Sequence, residues 1–217
     1  MKVINLGKKD TVFSHFISEI RDVNIQNDSM RFRRNIERIG EVFAYEISKV
    51  MEFQYQDITT PLGIARQKLM IEKPVLATIL RAGLPLHQGM LNYFDGSDST
   101  FISAYRKTKK GGNFEINIEY MSSSDLNNKT VILCDPMIAS GASMIMAVEA
   151  ILSKGSPKHI HVVGVIASSQ GIQYLQKNMP LNNCTLWIGA EDAEMTSKSY
   201  IVPGLGDAGD LAFGEKK

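Results

Sequence analysis

Residues 131–143, VILCDPMIASGAS, constrain the fold of this chain more than any other stretch. Val131 to Cys134 are apolar and rich in β-branched side chains, the composition of a buried strand. Asp135 and Pro136 follow, and because proline gives no N–H to a strand ladder, Pro136 is expected to mark the exit. Ala139-Ser140-Gly141-Ala142-Ser143 are small or hydroxyl-bearing and lead into an apolar-periodic segment, Met144 to Lys154. The order is strand, acid, small loop, helix start. Backbone N–H groups, the Ser140 and Ser143 hydroxyls and the helix dipole can then converge on a phosphate. A carboxylate at the end of the strand accepts hydrogen bonds from sugar hydroxyls. The same residues also suit an ordinary strand–loop–helix connection, so the stretch by itself leaves both readings open. It is neither GxxxxGK[ST] nor GxGxxG, which speaks against a Walker A site.

The 217 residues are enough for one sizeable core. Lys plus Arg is 24 against Asp plus Glu at 23, a net charge of +1, so no general nucleic-acid or membrane-surface binder is expected. Cys134 and Cys184 both sit in apolar runs, as reduced, buried thiols do, and Cys134 reads as inert rather than as a nucleophile. The opening MKVINLGKKD carries no apolar core of a signal peptide, and no stretch has the length to span a bilayer. A cytoplasmic α/β protein is expected.

Residues 11–21 place Val12, Phe13, Phe16, Ile17 and Ile20 on one helical face. A longer helix begins at Ser29 as N-cap, with Phe32, Ile36, Ile39, Phe43, Ile47 and Val50 at steps of three and four. Arg31, Arg33, Arg34, Glu37 and Arg38 fall on its other face, read as solvated in preference to a regulatory anion site. Thr59-Thr60-Pro61-Leu62-Gly63 is a turn, followed by a short arm or surface helix to about Met70. Strands are expected at 74–80, 101–105, 113–120, 131–134, 160–167 and 184–189, and helices at 84–94, 144–154 and 171–178. That alternation implies a mostly parallel sheet covered on both faces. Two strand exits carry arginine: Arg81-Ala82-Gly83, and Arg106 before the basic loop Lys107-Thr108-Lys109-Lys110-Gly111-Gly112, whose lysines read as solvated. His159 and His161 share a strand face but have no Cys, Asp or Glu at ligand spacing, so no metal site is expected there. The tail from Tyr200, YIVPGLGDAGDLAFG, is glycine-rich and lacks regular periodicity, while Ile201, Val202, Leu205, Leu211 and Phe213 mark it as a fixed loop folded over something.

Three separated pieces, ILRAGL at 79–84, DPMIASGAS at 135–143 and the tail motif PGLGDAGD, together resemble the uracil phosphoribosyltransferases, supported by Arg31-Phe32-Arg33 and Tyr105-Arg106. The resemblance runs from about residue 25 to the C-terminus. It implies an α/β fold of the type I phosphoribosyltransferase kind, with a mostly parallel sheet flanked by helices. Residues 1–70 would form an N-terminal helical arm region, 71–190 the core sheet and 191–217 a hood over the base. It also implies transfer of the 5-phosphoribosyl group from 5-phosphoribosyl 1-diphosphate to uracil, giving UMP and diphosphate. Asp135 would hold ribose hydroxyls, and Pro136, Met137, Ile138, Ala139, Ser140, Gly141, Ala142 and Ser143 would cradle the 5′-phosphate. Arg81 and Arg106 would engage the diphosphate. Ile201, Gly206, Asp207 and Ala208 would recognise uracil, with Asp207 also near the donor. Mg²⁺ would arrive on the substrate, a homo-oligomer of two or more subunits is implied, and some relatives respond to GTP. The rival readings are a phosphoribosyltransferase for another base and an RNA-binding pyrimidine regulator on the same fold. Ala142 stands where the family usually has glycine, which is harmless only at negative φ. Leu84-Pro85-Leu86 replaces a more usual glycine–methionine pair.

Overall fold

The computed structural model describes residues 1–108 and 114–216, with backbone only for 104–108 and 114–119. In chain order the elements are β1 (Lys2–Asn5), α1 (Phe13–Arg21), α2 (Ser29–Ser48), β2 (Phe53–Thr60), β3 (Gly63–Met70), β4 (Val75–Leu80), α3 (Leu84–Leu91), β5 (Ser99–Thr108) and β6 (Phe114–Ser122). There follow β7 (Thr130–Ile138), α4 (Ala142–Lys154), β8 (His159–Ser168), α5 (Ser169–Asn178), β9 (Cys184–Asp192), β10 (Glu194–Met195), β11 (Ile201–Val202) and α6 (Ala208–Phe213).

Period-two alternation along the central strands builds two cores. Leu76, Ile132, Cys134, Val163 and Val165 face one side, where Phe13, Phe32, Ile36, Phe43 and Leu86 of α1, α2 and α3 cover them. Val75, Ala77, Val131, Leu133 and Val162 face the other, under Met144, Val148 and Ile151 of α4 and Ile172 and Leu175 of α5. The sheet order is β1-β9-β8-β7-β4-β5-β6. Every neighbouring pair is parallel except β5 with β6. From β4 the chain moves outward to β5, and it later returns to lay β7 against the opposite edge of β4. A ligand crevice is expected beyond the C-terminal ends of the strands at this reversal.

Several sequence expectations are corrected. The first strand, β1, gave no sequence signal and joins the sheet edge beside β9. Asp28, not Ser29, caps α2, its carboxylate accepting from the Arg31 N–H at 3.0 Å. Val50 lies past the helix end and is 55% exposed. Residues 64–70 are no helix. They form β3, paired with β2 in an antiparallel hairpin from Phe53–Met70 to Thr60–Gly63. Its side chains are exposed nearly throughout, so no apolar face announced either strand. Pro136 does not end β7, which continues to Ile138 along β8. Pairing with β4 stops at Thr78–Cys134, so proline stands where one neighbour has already gone. The expected alternation over 114–118 and the loop residues Lys109 to Gly112 lie outside the described residues or side chains.

Candidate active site

Two strands, β4 and β7, meet the tail at the C-terminal pole of the sheet. At the first, Leu80–Arg81 is a cis peptide and the chain turns back through Ala82 and Gly83. A methyl on Gly83 would collide with Thr78 Oγ1 and the Ile79 carbonyl and lie 3.0 Å from the Cys134 carbonyl. The arginine turn is thus pressed against β7 at Cys134, one residue before Asp135. Arg81 is half-buried; its Nη2 donates to Asp210 Oδ1 and to the Gly214 carbonyl, both at 3.1 Å. Its Nε is buried and has no hydrogen-bond partner among the described residues. A buried donor left unsatisfied is costly, and a ligand acceptor removes that cost.

Near the C-terminal end of β7, Asp135 Oδ1 accepts from the Met137 N–H at 3.2 Å. The loop beyond it rests on α5: Ser168 Oγ donates to the Ala139 carbonyl at 2.6 Å while also accepting the Gly171 N–H at 2.8 Å. Gly141 then takes φ +80°, a left-handed conformation in which glycine alone is unstrained. It is also the N-cap of α4 and, lacking a side chain, leaves the first-turn N–H groups without a side-chain cap. Ser140 Oγ reaches only the Ala142 N–H, at 3.4 Å. Ala142 is the first helical residue, and among the described residues only Asn128 and Ser199 are non-glycines at positive φ. Its extra methyl is accommodated because Gly141 carries the unusual backbone.

The tail supplies the third wall. Asp207 caps α6, its Oδ1 accepting the Gly209 and Asp210 N–H groups at 2.8 and 3.0 Å. A Cβ built on Gly209 would lie 3.8 Å from Arg81 Nη2 and 4.0 Å from Ala82 Cβ, so α6 sits directly over the arginine turn. Ile201, Leu205, Ala208 and Ala212 are buried in the same core that Ala82, Met137 and Ala139 pack against. The tail therefore has more regular structure than its composition indicated. Arg81 meets the tail through Asp210 and Gly214, its turn packs on β7 beside Asp135, and Met137 and Ala139 pack against the core that buries Ile201, Leu205 and Ala208; the Arg106 side chain lies outside those described.

Four residues that organise this pole were not singled out for it from sequence. Arg33 Nη1 donates to the Ala212 carbonyl at 2.6 Å and stacks 6.0 Å from the Phe213 ring centroid. Asp210 holds Arg81, while Arg21 and Asp192 pair beneath the tail. The basic face of α2 is thus neither simply solvated nor an open anion site. Arg31 pairs with Glu19 at 2.6 Å, Arg34 with Glu37 at 2.8 Å, and Arg38 donates to Asn35 Oδ1 at 3.1 Å.

A cleft of about 410 Å³ lies at the opposite pole, where His159, His161, Thr185 and Lys158 stand at the starts of β8 and β9. Trp187 Nε1 donates to His161 Nδ1 at 3.1 Å, which assigns the His161 proton to Nε2. Burial pushes the His161 pKa down to about 3, and that of His159 below its ordinary value. Burial raises the Cys134 thiol well above its ordinary range, so it is an inert apolar neighbour of Asp135.

The family model for uracil phosphoribosyltransferase matches residues 8–215. A Porphyromonas gingivalis protein named uracil phosphoribosyltransferase is 56% identical over 216 residues, covering 100% of both chains. The solved structure of an Aquifex aeolicus protein superposes with a TM-score of 0.86 at 26% identity, covering 98% of each chain. A hypoxanthine phosphoribosyltransferase from Staphylococcus aureus shares the fold at a TM-score of 0.50 and 12% identity, over 75% of this chain and 76% of its own. The chain belongs to the uracil phosphoribosyltransferase family.

Proposed function

We propose that the cleft between the Arg81 turn, Asp135, the start of α4 and the tail is where uracil displaces diphosphate from 5-phosphoribosyl 1-diphosphate. The C1′–oxygen bond to diphosphate breaks, the bond from uracil N1 to C1′ forms, and the N1 proton leaves to solvent. The first-turn N–H groups of α4, with Ser140 and Ser143, hold the 5′-phosphate, and Asp135 accepts from the ribose hydroxyls. Arg81 and Arg106 hold the diphosphate, where fixed positive charge favours the leaving group as its negative charge develops. Ile201, Gly206, Asp207 and Ala208 read the base largely through backbone groups. The observation that carries this reading is the buried Arg81 Nε, which has no hydrogen-bond partner among the described residues, on a turn packed against β7 one residue before Asp135.

The donor set also suits Mg²⁺. Among the described residues no three His, Cys, Asp or Glu side chains group as a metal site, and Asp135 and Asp207 already accept backbone N–H groups. An ion that keeps its waters and substrate phosphate oxygens needs little more. When bound it neutralises charge on the diphosphate.

Two further assignments are ours. The β2–β3 hairpin exposes Tyr55, Ile58, Leu62 and Ile64, apolar surface that suits burial against a second copy of this chain. Light scattering is expected to give a multiple of the chain mass. No described helix is long and apolar enough to cross a membrane, and two free buried thiols suit a reducing cytoplasm.

Purified protein incubated with uracil, the phosphoribosyl donor and Mg²⁺ is expected to yield UMP. Parallel reactions with cytosine and hypoxanthine test the other-base reading. Absence of any nucleotide product, together with tight RNA binding, would overturn the enzymatic assignment.

A further inference from the structure

The structure assigns Arg21 and Asp192 as a pair that positions the base-recognition loop, an inference resting on the proposal that residues 201–208 read uracil. Asp192 is the last residue of β9 and only 7% exposed; Arg21 is the last residue of α1. Their side chains meet through two parallel hydrogen bonds, Nη1 to Oδ2 at 2.8 Å and Nη2 to Oδ1 at 2.9 Å. Such a two-pronged, charge-assisted pair is geometrically stiff.

What the pair does next separates it from an ordinary structural ion pair. Both of its members turn their remaining capacity on one residue of the tail. Asp192 Oδ2 accepts the Gly204 N–H at 2.9 Å, and Arg21 Nη1 donates to the Gly204 carbonyl at 2.9 Å. Gly204 has φ +56°, and a side chain there would collide with the Ile201 carbonyl, so the backbone is held in one conformation on both of its polar groups. Gly206, Asp207 and Ala208 begin two residues later. Recognition through backbone groups has no rotamer with which to correct a misplaced chain, so its accuracy is that of the loop itself. Downstream, Arg33 and Arg81 hold α6 through Ala212 and Asp210. Arg21 and Asp192 hold Gly204, and the part of the base-reading stretch from Gly206 to Ala208 is suspended between the two.

The pair touches no reacting atom in this arrangement; it acts through Gly204. Asp192→Asn keeps the shape but removes one acceptor and the charge, while Arg21→Lys keeps the charge and removes the fork. Each is expected to raise the KM for uracil about tenfold, with the KM for the phosphoribosyl donor within about twofold of wild type. Discrimination of uracil from cytosine should fall alongside. A lowered melting temperature with both KM values and the discrimination unchanged would make the pair merely structural and overturn the inference.

Asp207→Ala, measured alongside, separates the two layers of the argument. Loss of turnover in Asp207→Ala with unchanged uracil KM in the pair variants defeats only the clamp. Normal turnover and normal uracil KM in Asp207→Ala defeat the base-site reading beneath it. In wild-type protein, saturating UMP is expected to slow hydrogen exchange across 201–208; unchanged exchange there also overturns the inference, whether or not the variants fold.

Discussion

Both ends of the central sheet carry polar side chains, and they use them in opposite ways. At the N-terminal pole the groups pair mainly with one another: Trp187 donates to His161, His159 meets Thr185 Oγ1 at 3.0 Å, and Lys158 forms an ion pair with Glu72 at 3.1 Å, although the buried Glu72 Oε2 accepts no aligned hydrogen bond among the described residues. The histidines there are held neutral by burial. At the C-terminal pole the side chains are also paired, but they pair so as to hold backbone. Arg33, Arg81, Arg21 and Asp192 fix tail carbonyls and N–H groups, while the start of α4 and one nitrogen of Arg81 keep donors available. A cluster of titratable groups around a cleft is therefore a poor guide to the chemistry here. The better guide is the set of oriented donors that no protein atom has claimed, and parallel strands followed by helices concentrate these at their C-terminal ends.

The largest expected effect tests that contrast directly. Arg81→Ala should lower kcat/KM by about 10²- to 10³-fold with the circular dichroism spectrum intact, as expected for removing a donor from developing charge. His161→Ala should leave kcat/KM within about twofold while lowering stability, because it orphans the Trp187 N–H. Steady-state kinetics on both variants decide it; comparable activity losses would erase the distinction between the poles.

Acid stability is the next measure. The His161 pKa is about 3 in the folded chain against an ordinary 6.5, so the unfolded chain binds the proton more readily. That stability is fully present above the unfolded value and is lost as the pH falls towards the folded one. Between pH 7.5 and 5 the loss should be about 2 kcal/mol, read from urea midpoints. His161→Gln should flatten that slope. An unchanged slope would show that another group carries the titration.

Within the loop proposed to hold the 5′-phosphate, neighbouring residues should respond unequally. Gly141→Ala forces a side chain into φ +80° and within 3.0 Å of the Gly171 carbonyl. It should cost about 1–2 kcal/mol and weaken binding of the phosphoribosyl donor several-fold. Ala142→Gly, smallest of all, should change stability by less than about 1 kcal/mol and leave the donor KM unaltered, since the helical backbone there needs no glycine. Chemical denaturation with initial-rate kinetics checks both; a large effect of Ala142→Gly would reassign the strained position.

Much of this arrangement was legible in advance. The apolar run into Asp135, the small loop and the periodic helix after it have local causes: the helix begins two residues before its expected start, whereas the strand runs four residues past Cys134. The β2–β3 hairpin was misread because both its faces are exposed, so neither strand shows the period a buried face imposes. Pro136 misled because its tolerance in β7 depends on where β4 stops, which residues 131–138 do not encode. Arg33 belonged to a face whose composition describes solvent equally well as a partner.

By itself, then, the sequence determined the local units: which segments alternate, which turn, and where a run of small residues leads from a strand into a helix. Those depend on side-chain periodicity and backbone freedom over a few neighbouring residues. Only the tertiary structure decided that Arg21 would meet Asp192, Arg33 reach Ala212 and Arg81 hold Asp210, pairs separated by 171, 179 and 129 positions. Such pairs have no local signature. They exist because the sheet order brings the ends of β4, β7 and β9 to one pole, where a glycine-rich tail must be fastened at several points to stay in one conformation.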